Sequence, residues 1–396
     1  MTEQPASNRI PPAIWALTFC VFGFGTAEFV SVGLLPTIAA DLSVPVSYTG
    51  LLVTMYALGI AVGGPLLTAI TGSIERKKLL ITALLLFVFG NLIAYFSSNI
   101  YTLLISRAIT GATNGLFLAH AVVMASNMVE GNKKATAISL VFSGLMIATV
   151  VGAPAGTYLG THFGWHATFL AIIIWTLAGL IGLIFVLPTQ PKPVAALRLG
   201  DIPVVFKNTS VLIILLANIF AYTGTFVLFT YISPVLKNIT GFSENLINLV
   251  LLIFGVGVAL GNFAGGRLSD RKPSKTLVYL FLFHAIVLFI LSFVLGSKPL
   301  VFALVLILGF LAYGNVPALQ LLAVQLSEKH KPGSGGIASA VNVSAFNVGV
   351  ILGSLIGGAI INSYSLNTTP WVGGVFVLIA LLLGILNYRR NKTSEQ

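Results

Sequence analysis

Residues 13–38 read AIWALTFCVFGFGTAEFVSVGLLPTI, a long apolar stretch broken by a single charge, Glu28. About 20 consecutive apolar residues cross a bilayer core about 30 Å thick, so this stretch reads as a membrane-spanning helix. Glu28 is the only carboxylate set deep within any apolar stretch of the chain. A charge near the bilayer centre costs about 2.5–3.5 kcal/mol even on the lenient insertion scale, so it needs a partner, a proton or a wet cavity. Escape to the interface is closed to it: at ~1.5 Å per residue Glu28 lies roughly 15 Å from the helix end near Ile38, beyond the reach of its side chain. A functional role for Glu28 is therefore the first expectation.

The whole chain has the same character. Only 8% of residues are charged and 57% are hydrophobic, with a mean hydropathy of +1.00, where a soluble domain carries about 25% charge. Such a chain is an integral membrane protein. The single Cys20 excludes an internal disulfide and lies inside the first span, where packing is its expected role. No cleaved signal peptide is evident, because the first apolar stretch is too long for one.

Apolar runs and turn signals divide the chain into twelve spans, near residues 13–38, 48–71, 79–97, 100–128, 135–160, 165–188, 209–235, 244–266, 275–296, 299–326, 335–361 and 370–388. With a cytoplasmic N-terminus, 18 of the 21 basic residues fall in inner tails and loops, and the outer loops hold only Lys237 and Lys298. That asymmetry is the positive-inside signature and predicts both termini in the cytoplasm. It also accounts for the net charge of +11 without nucleic acid as a partner.

The Pro-rich stretch 189–208 reads as a cytoplasmic linker between a six-helix bundle at 1–188 and another at 209–396. An offset of 197 residues relates the two: Thr26, Gly64, Gly152, Gly156 and Gly160 fall on Thr223, Gly261, Gly349, Gly353 and Gly357. Glu28 and Arg107, by contrast, fall on Thr225 and Leu304, so the ionisable pair belongs to the first bundle alone. Parallel six-span repeats are a transporter architecture.

Arg107 in the fourth span keeps its charge under ordinary conditions and sits roughly 10 Å from the outer end. Its depth overlaps that of Glu28, which makes the two natural partners, and Asn114 lies two turns on along the same face. Inner loops carry Arg76 and Lys77 in the first half and Asp270 and Arg271 in the second, groups able to hold and release neighbouring helix ends. Gly152, Pro154 and Gly156 combine close helix packing with a place to bend. His120 and His284 are expected to be structural. Asn218, Tyr222, Phe226 and Phe229 on span 7, with Asn315 and Gln320 on span 10, are candidates to line a cavity.

These features together resemble the major facilitator superfamily: the six-plus-six layout, the Arg76-Lys77 and Asp270-Arg271 loops, the Arg107-to-Gly111 pattern and Gly152-Ala153-Pro154-Ala155-Gly156. Phe24-Gly25-Thr26-Ala27-Glu28-Phe29, Gly33-Leu34-Leu35-Pro36, Gly164-Trp165 and Tyr231-Ile232-Ser233-Pro234 resemble its twelve-span drug:proton antiporter branch, near the arabinose-efflux-like, sugar-efflux and purine-efflux permeases. The resemblance implies an all-α membrane fold of two pseudo-symmetric bundles that rock about a central cavity lined by spans 1, 4, 7 and 10. It also implies export of a small molecule in exchange for protons, with Arg107 in proton coupling. Gly72 stands where this family usually has Asp, and His166 where Arg is usual.

There is no nucleotide-binding loop of the Gly-x-x-x-x-Gly-Lys-Ser/Thr kind and no metal-ligand spacing, so the expectation is a transporter without cofactor and without enzymatic activity. Its expected partners are a small solute, protons and lipid, and it is expected to be a monomer. A facilitator or proton symporter that imports a metabolite is the alternative on the same fold.

Overall fold

The computed structural model describes residues 10–71, 74–129, 134–188, 206–269, 272–332 and 334–393. Among the described residues twelve helices are long and apolar enough to cross a membrane: α1 (Pro12–Asp41), α2 (Val46–Thr68), α3 (Arg76–Tyr95), α4 (Ile100–Asn127), α5 (Thr136–Phe163), α6 (Trp165–Val186), α7 (Thr209–Asn238), α8 (Glu244–Ser269), α9 (Pro273–Val294), α10 (Lys298–His330), α11 (Gly335–Ser363) and α12 (Leu366–Arg390). Among the described residues there are no strands. The edges agree with hydropathy to within a few residues. The tenth helix runs furthest past its apolar run, since Ser327, Glu328, Lys329 and His330 continue it into polar surroundings.

The 197-residue offset recurs as packing. Gly152, Gly156 and Gly160 of α5 press against Thr26, Val30 and Leu34 of α1, each glycine one turn on from the last. Gly349, Gly353 and Gly357 of α11 repeat this against Tyr222, Phe226 and Tyr231 of α7. Small residues at four-residue spacing let two membrane helices approach with dispersion as the main attraction.

Regular helix is interrupted beside three prolines, whereas α1 and α10 run on through Pro36 and Pro317. Pro234 has no N–H for the Thr230 carbonyl, and α7 breaks there, between Phe229 and Ile232. In α2 a π-helical turn over Gly59–Gly63 leads into Gly64-Pro65, and in α5 one over Ala148–Gly152 leads into Ala153-Pro154. Pro65 leaves the Ala61 carbonyl without its helical donor, and the Ser344 hydroxyl of α11 stands 3.5 Å from it. The corresponding helices of the second half, α8 and α11, run through without interruption.

The halves are joined at the end of the bundle that holds the α1–α2 turn. There the Tyr231 hydroxyl donates to the Ser354 carbonyl at 3.0 Å and stands 3.5 Å from the Ser47 carbonyl, while the Ser354 hydroxyl donates to the Gly50 carbonyl at 2.9 Å. These groups are buried, so this end is sealed. Ser354→Ala removes a bond worth about 0.5–1.5 kcal/mol, and is expected to loosen the seal about two- to tenfold. The check is the rate at which an impermeant maleimide labels a Cys at position 47: an unchanged rate would show that Ser354 does not hold the seal.

Candidate functional site

Glu28 projects from the middle of α1 into the plane where the two halves meet. It is half-buried and lines a gap with Phe29, Val32, Val53, Tyr56, Ala57, Phe226, Asn347 and Val350, residues drawn from both halves. The gap is no larger than a single water molecule needs. One carboxylate oxygen, Oε2, accepts from Asn114 Nδ2 at 3.2 Å. Its Oε1 accepts no hydrogen bond from the described residues.

Arg107 is fully buried one helix away. The expected direct pairing with the Glu28 carboxylate does not form: Arg107 Nη2 points instead at the Glu28 main-chain carbonyl, 3.5 Å away. The guanidinium lies 4.1 Å from the centre of the Tyr56 ring, and its Nε and Nη1 have no acceptor among the described residues. A cation on a desolvated aromatic face gains about 2 kcal/mol, which offsets part of its burial. Tyr56 is held in turn, its hydroxyl donating to the Phe24 carbonyl at 3.1 Å. The close approach of α2 to α4 that permits this depends on Gly59 and Gly111, whose missing side chains leave room for the Ala108 and Tyr56 carbonyls.

On the opposing half, Phe226 reaches the gap, and Tyr222 donates to the Ala312 carbonyl at 3.0 Å with Asn315 Oδ1 3.1 Å away. Asn218 and Gln320 lie elsewhere. Asn218 donates to Asn342 at 2.9 Å, Asn342 donates to Gln320 at 2.7 Å, and Gln320 bonds Ser339, a chain that ties α7, α10 and α11 together. Amide groups buried between membrane helices act as glue of this kind. Phe229 turns away as well, stacking on Phe254 with centroids 4.2 Å apart.

Lys77 caps the end of α6, donating to the Leu187 carbonyl at 2.6 Å within its own half, and Arg76 begins α3. Asp270, Arg271 and Gly72 lie outside the described residues. His166 sits 3.1 Å from the Ser97 carbonyl and braces α6 against the α3–α4 turn. His120 Nε2 and both ring nitrogens of His284 are buried without a partner. Composition did not point to Tyr56, Tyr313 or Asn347. Tyr56 alone carried a signal, its place on the glycine-rich helix that packs against the Arg107 span.

The Major Facilitator Superfamily model matches residues 17–336 and 214–396. The chain belongs to the major facilitator superfamily. It is 41% identical over 383 residues to "Uncharacterized MFS-type transporter YtbD" of Bacillus subtilis (strain 168), covering 97% of this chain and 96% of that one. It is 31% identical over 389 residues to a "Probable sugar efflux transporter" of Mannheimia succiniciproducens, covering 98% and 97%. Among solved structures, a D-xylose-proton symporter superposes with a TM-score of 0.78 at 18% identity, covering 94% of this chain and 96% of that one, a likeness of fold. This superfamily member is accordingly a multi-pass membrane transporter of small molecules, not an enzyme.

Proposed function

We propose that this transporter exports a small solute in exchange for protons, with Glu28 as the group for which solute and proton compete. The observation that carries this is the half-buried Glu28 carboxylate, with one oxygen unbonded, in a gap shared by both halves. A carboxylate so placed binds either a proton or a solute's hydrogen-bond donor or positive charge, so occupation by one releases the other. Only differential affinity between two conformers can drive such exchange. Asn114 orients the carboxylate, whose own negative charge disfavours anions as cargo, while Arg107, fixed on Tyr56, keeps a positive charge nearby that favours the ionised form of Glu28. Gly152, Pro154 and Gly156, with the π-helical turn before them, give α5 a point at which to bend.

Export is favoured by the relative described as a probable sugar efflux transporter and by the antiporter-like stretch around Pro154. The distribution of basic residues supports a reading with both termini in the cytoplasm, the protein in the cytoplasmic membrane and the Tyr231–Ser354 seal on the outer side. Arg76, Lys77, Asp270 and Arg271 remain candidates for the inner gate, and the chain acts as a monomer with residues 189–208 linking its halves.

The test is proton flux in proteoliposomes loaded with a pH-sensitive dye and challenged with arabinose, inosine, chloramphenicol and tetraphenylphosphonium. Antiport predicts that at least one probe entering the lumen drives protons out against no imposed gradient. Movement of probe and proton in the same direction would establish import by symport in its place.

A further inference from the structure

Three tyrosines surround the Glu28 site, and two have an acceptor: Tyr56 bonds the Phe24 carbonyl and Tyr222 the Ala312 carbonyl. Tyr313, in the middle of α10, does not. Its hydroxyl is buried with no hydrogen-bond partner, although buried polar groups are almost always paired. Its ring is held edge-on by Phe29, the neighbour of Glu28, at 6.4 Å, by Tyr222 at 6.1 Å and by Phe254 at 6.3 Å. On one half a donor without an acceptor among the described residues thus sits on a ring packed against Phe29, and on the other the residue next to Phe29, Glu28, carries Oε1, an acceptor without a donor among them.

We propose that Tyr313 is a positioning residue that donates to the ionised Glu28 carboxylate when the sealed end opens, holding the empty, unprotonated transporter in that conformer. The inference rests on the reading of Glu28 as the proton carrier. Other groups facing Glu28 cannot take this part. Tyr56, Arg107 and Asn114 belong to the same half as Glu28 and move with it, while on the opposing half Phe226 has no donor and Asn347 Nδ2 already donates to the Val343 carbonyl at 3.0 Å. A charge-assisted bond from a phenol to a carboxylate is stronger than one between neutral groups. Protonation of Glu28 removes that extra strength and frees the halves to return. An empty carrier that cannot return without a proton does not slip, so the contact would make exchange obligatory.

Tyr313→Phe deletes the hydroxyl and keeps the ring packing, so folding, checked by thermal melting, is preserved. The experiment places spin labels at Ser98→Cys and Ser243→Cys, exposed positions at the sealed end of the two halves, in a Cys20→Ala background in lipid nanodiscs. Distances are read from pH 5 to 9. The unsubstituted parent is expected to populate the open, long-distance conformer as pH rises, and Tyr313→Phe to lower the open-to-closed ratio at high pH about tenfold while leaving the low-pH distribution unchanged. In the dye assay the same variant is expected to carry probe downhill with fewer protons exchanged. A pH response identical to the parent's, or no pH response in a parent that does exchange protons for a probe, overturns the role of Tyr313 alone. A parent with neither proton flux nor pH response overturns the Glu28 reading and this inference with it.

Discussion

Glu28→Gln is expected to abolish proton-driven accumulation of substrate while leaving a folded protein that still exchanges substrate down its gradient. The amide keeps the shape of the carboxylate and can present its oxygen to Asn114 Nδ2, now 3.2 Å from Oε2, but it cannot take up or release a proton. Breaking a direct buried ion pair would cost about 3–5 kcal/mol, because one charge is left uncompensated. That penalty does not apply in full here. Arg107 is held by the Glu28 main-chain carbonyl and the Tyr56 ring, and both survive the substitution. The loss should thus appear in coupling more than in stability. Accumulation in inverted vesicles with an acidic lumen, where the proton gradient is directed outward, measured beside counterflow and thermal melting, separates the two effects. Wild-type accumulation by Glu28→Gln would remove Glu28 as the coupling group.

Hydropathy and the 197-residue offset made the twelve spans and the paired bundles legible because depth in a bilayer is a one-dimensional property of the chain. Azimuth is not legible in the same way. A helix packed in a membrane is apolar all round, and large side chains such as Phe89, Phe185 and Phe293 are exposed on the surface of the bundle while Phe24, Phe87 and Phe254 are buried. Polarity therefore marked Asn218 and Gln320 as cavity residues, although both are spent on bonds among α7, α10 and α11. Tyr56 and Tyr313 went unmarked because an aromatic ring on a membrane helix is compatible with lipid, core or site alike. Glu28, Arg107 and Asn114 could be picked out because ionised and amide groups at that depth are costly, yet that reasoning gave the wrong contact between the first two. A cation satisfied by a carbonyl and a ring face leaves no trace in composition.

The asymmetry between the halves has a structural counterpart to its chemistry. The first half holds the ionisable groups and also the two helices interrupted by π-helical turns before proline, α2 and α5; its partner presents the uninterrupted α8 and α11 to them. Interruptions of this kind are where helices bend. Alternating access built on this arrangement would bend α2 and α5 against the continuous α8 and α11, which keeps the movement in the half that carries Glu28.

Gly111→Val is expected to be the most damaging single change to the folded protein. A side chain at position 111 would collide with the Tyr56 carbonyl and approach its Cα at 3.0 Å. Backbone cannot swing aside as a flexible side chain can, so α2 must back away from α4 as a unit. Overpacking a core costs about 1–3 kcal/mol where neighbours can adjust, and the cost here should lie at or beyond the upper end. The consequence reaches the site. Gly111 lies one turn from Arg107, and withdrawal of α2 lifts the Tyr56 ring from the guanidinium it covers at 4.1 Å, leaving Nε and Nη1, already without acceptors, beside an exposed charge with no aromatic face. Gly111→Val should give little monodisperse protein after extraction, with a strongly lowered melting temperature in what remains. Tyr56→Leu separates the two parts of the effect, because it removes the ring without forcing the helices apart. It is expected to fold at reduced stability and to transport poorly, and near-normal melting of Gly111→Val would show that α2 and α4 do not need this contact.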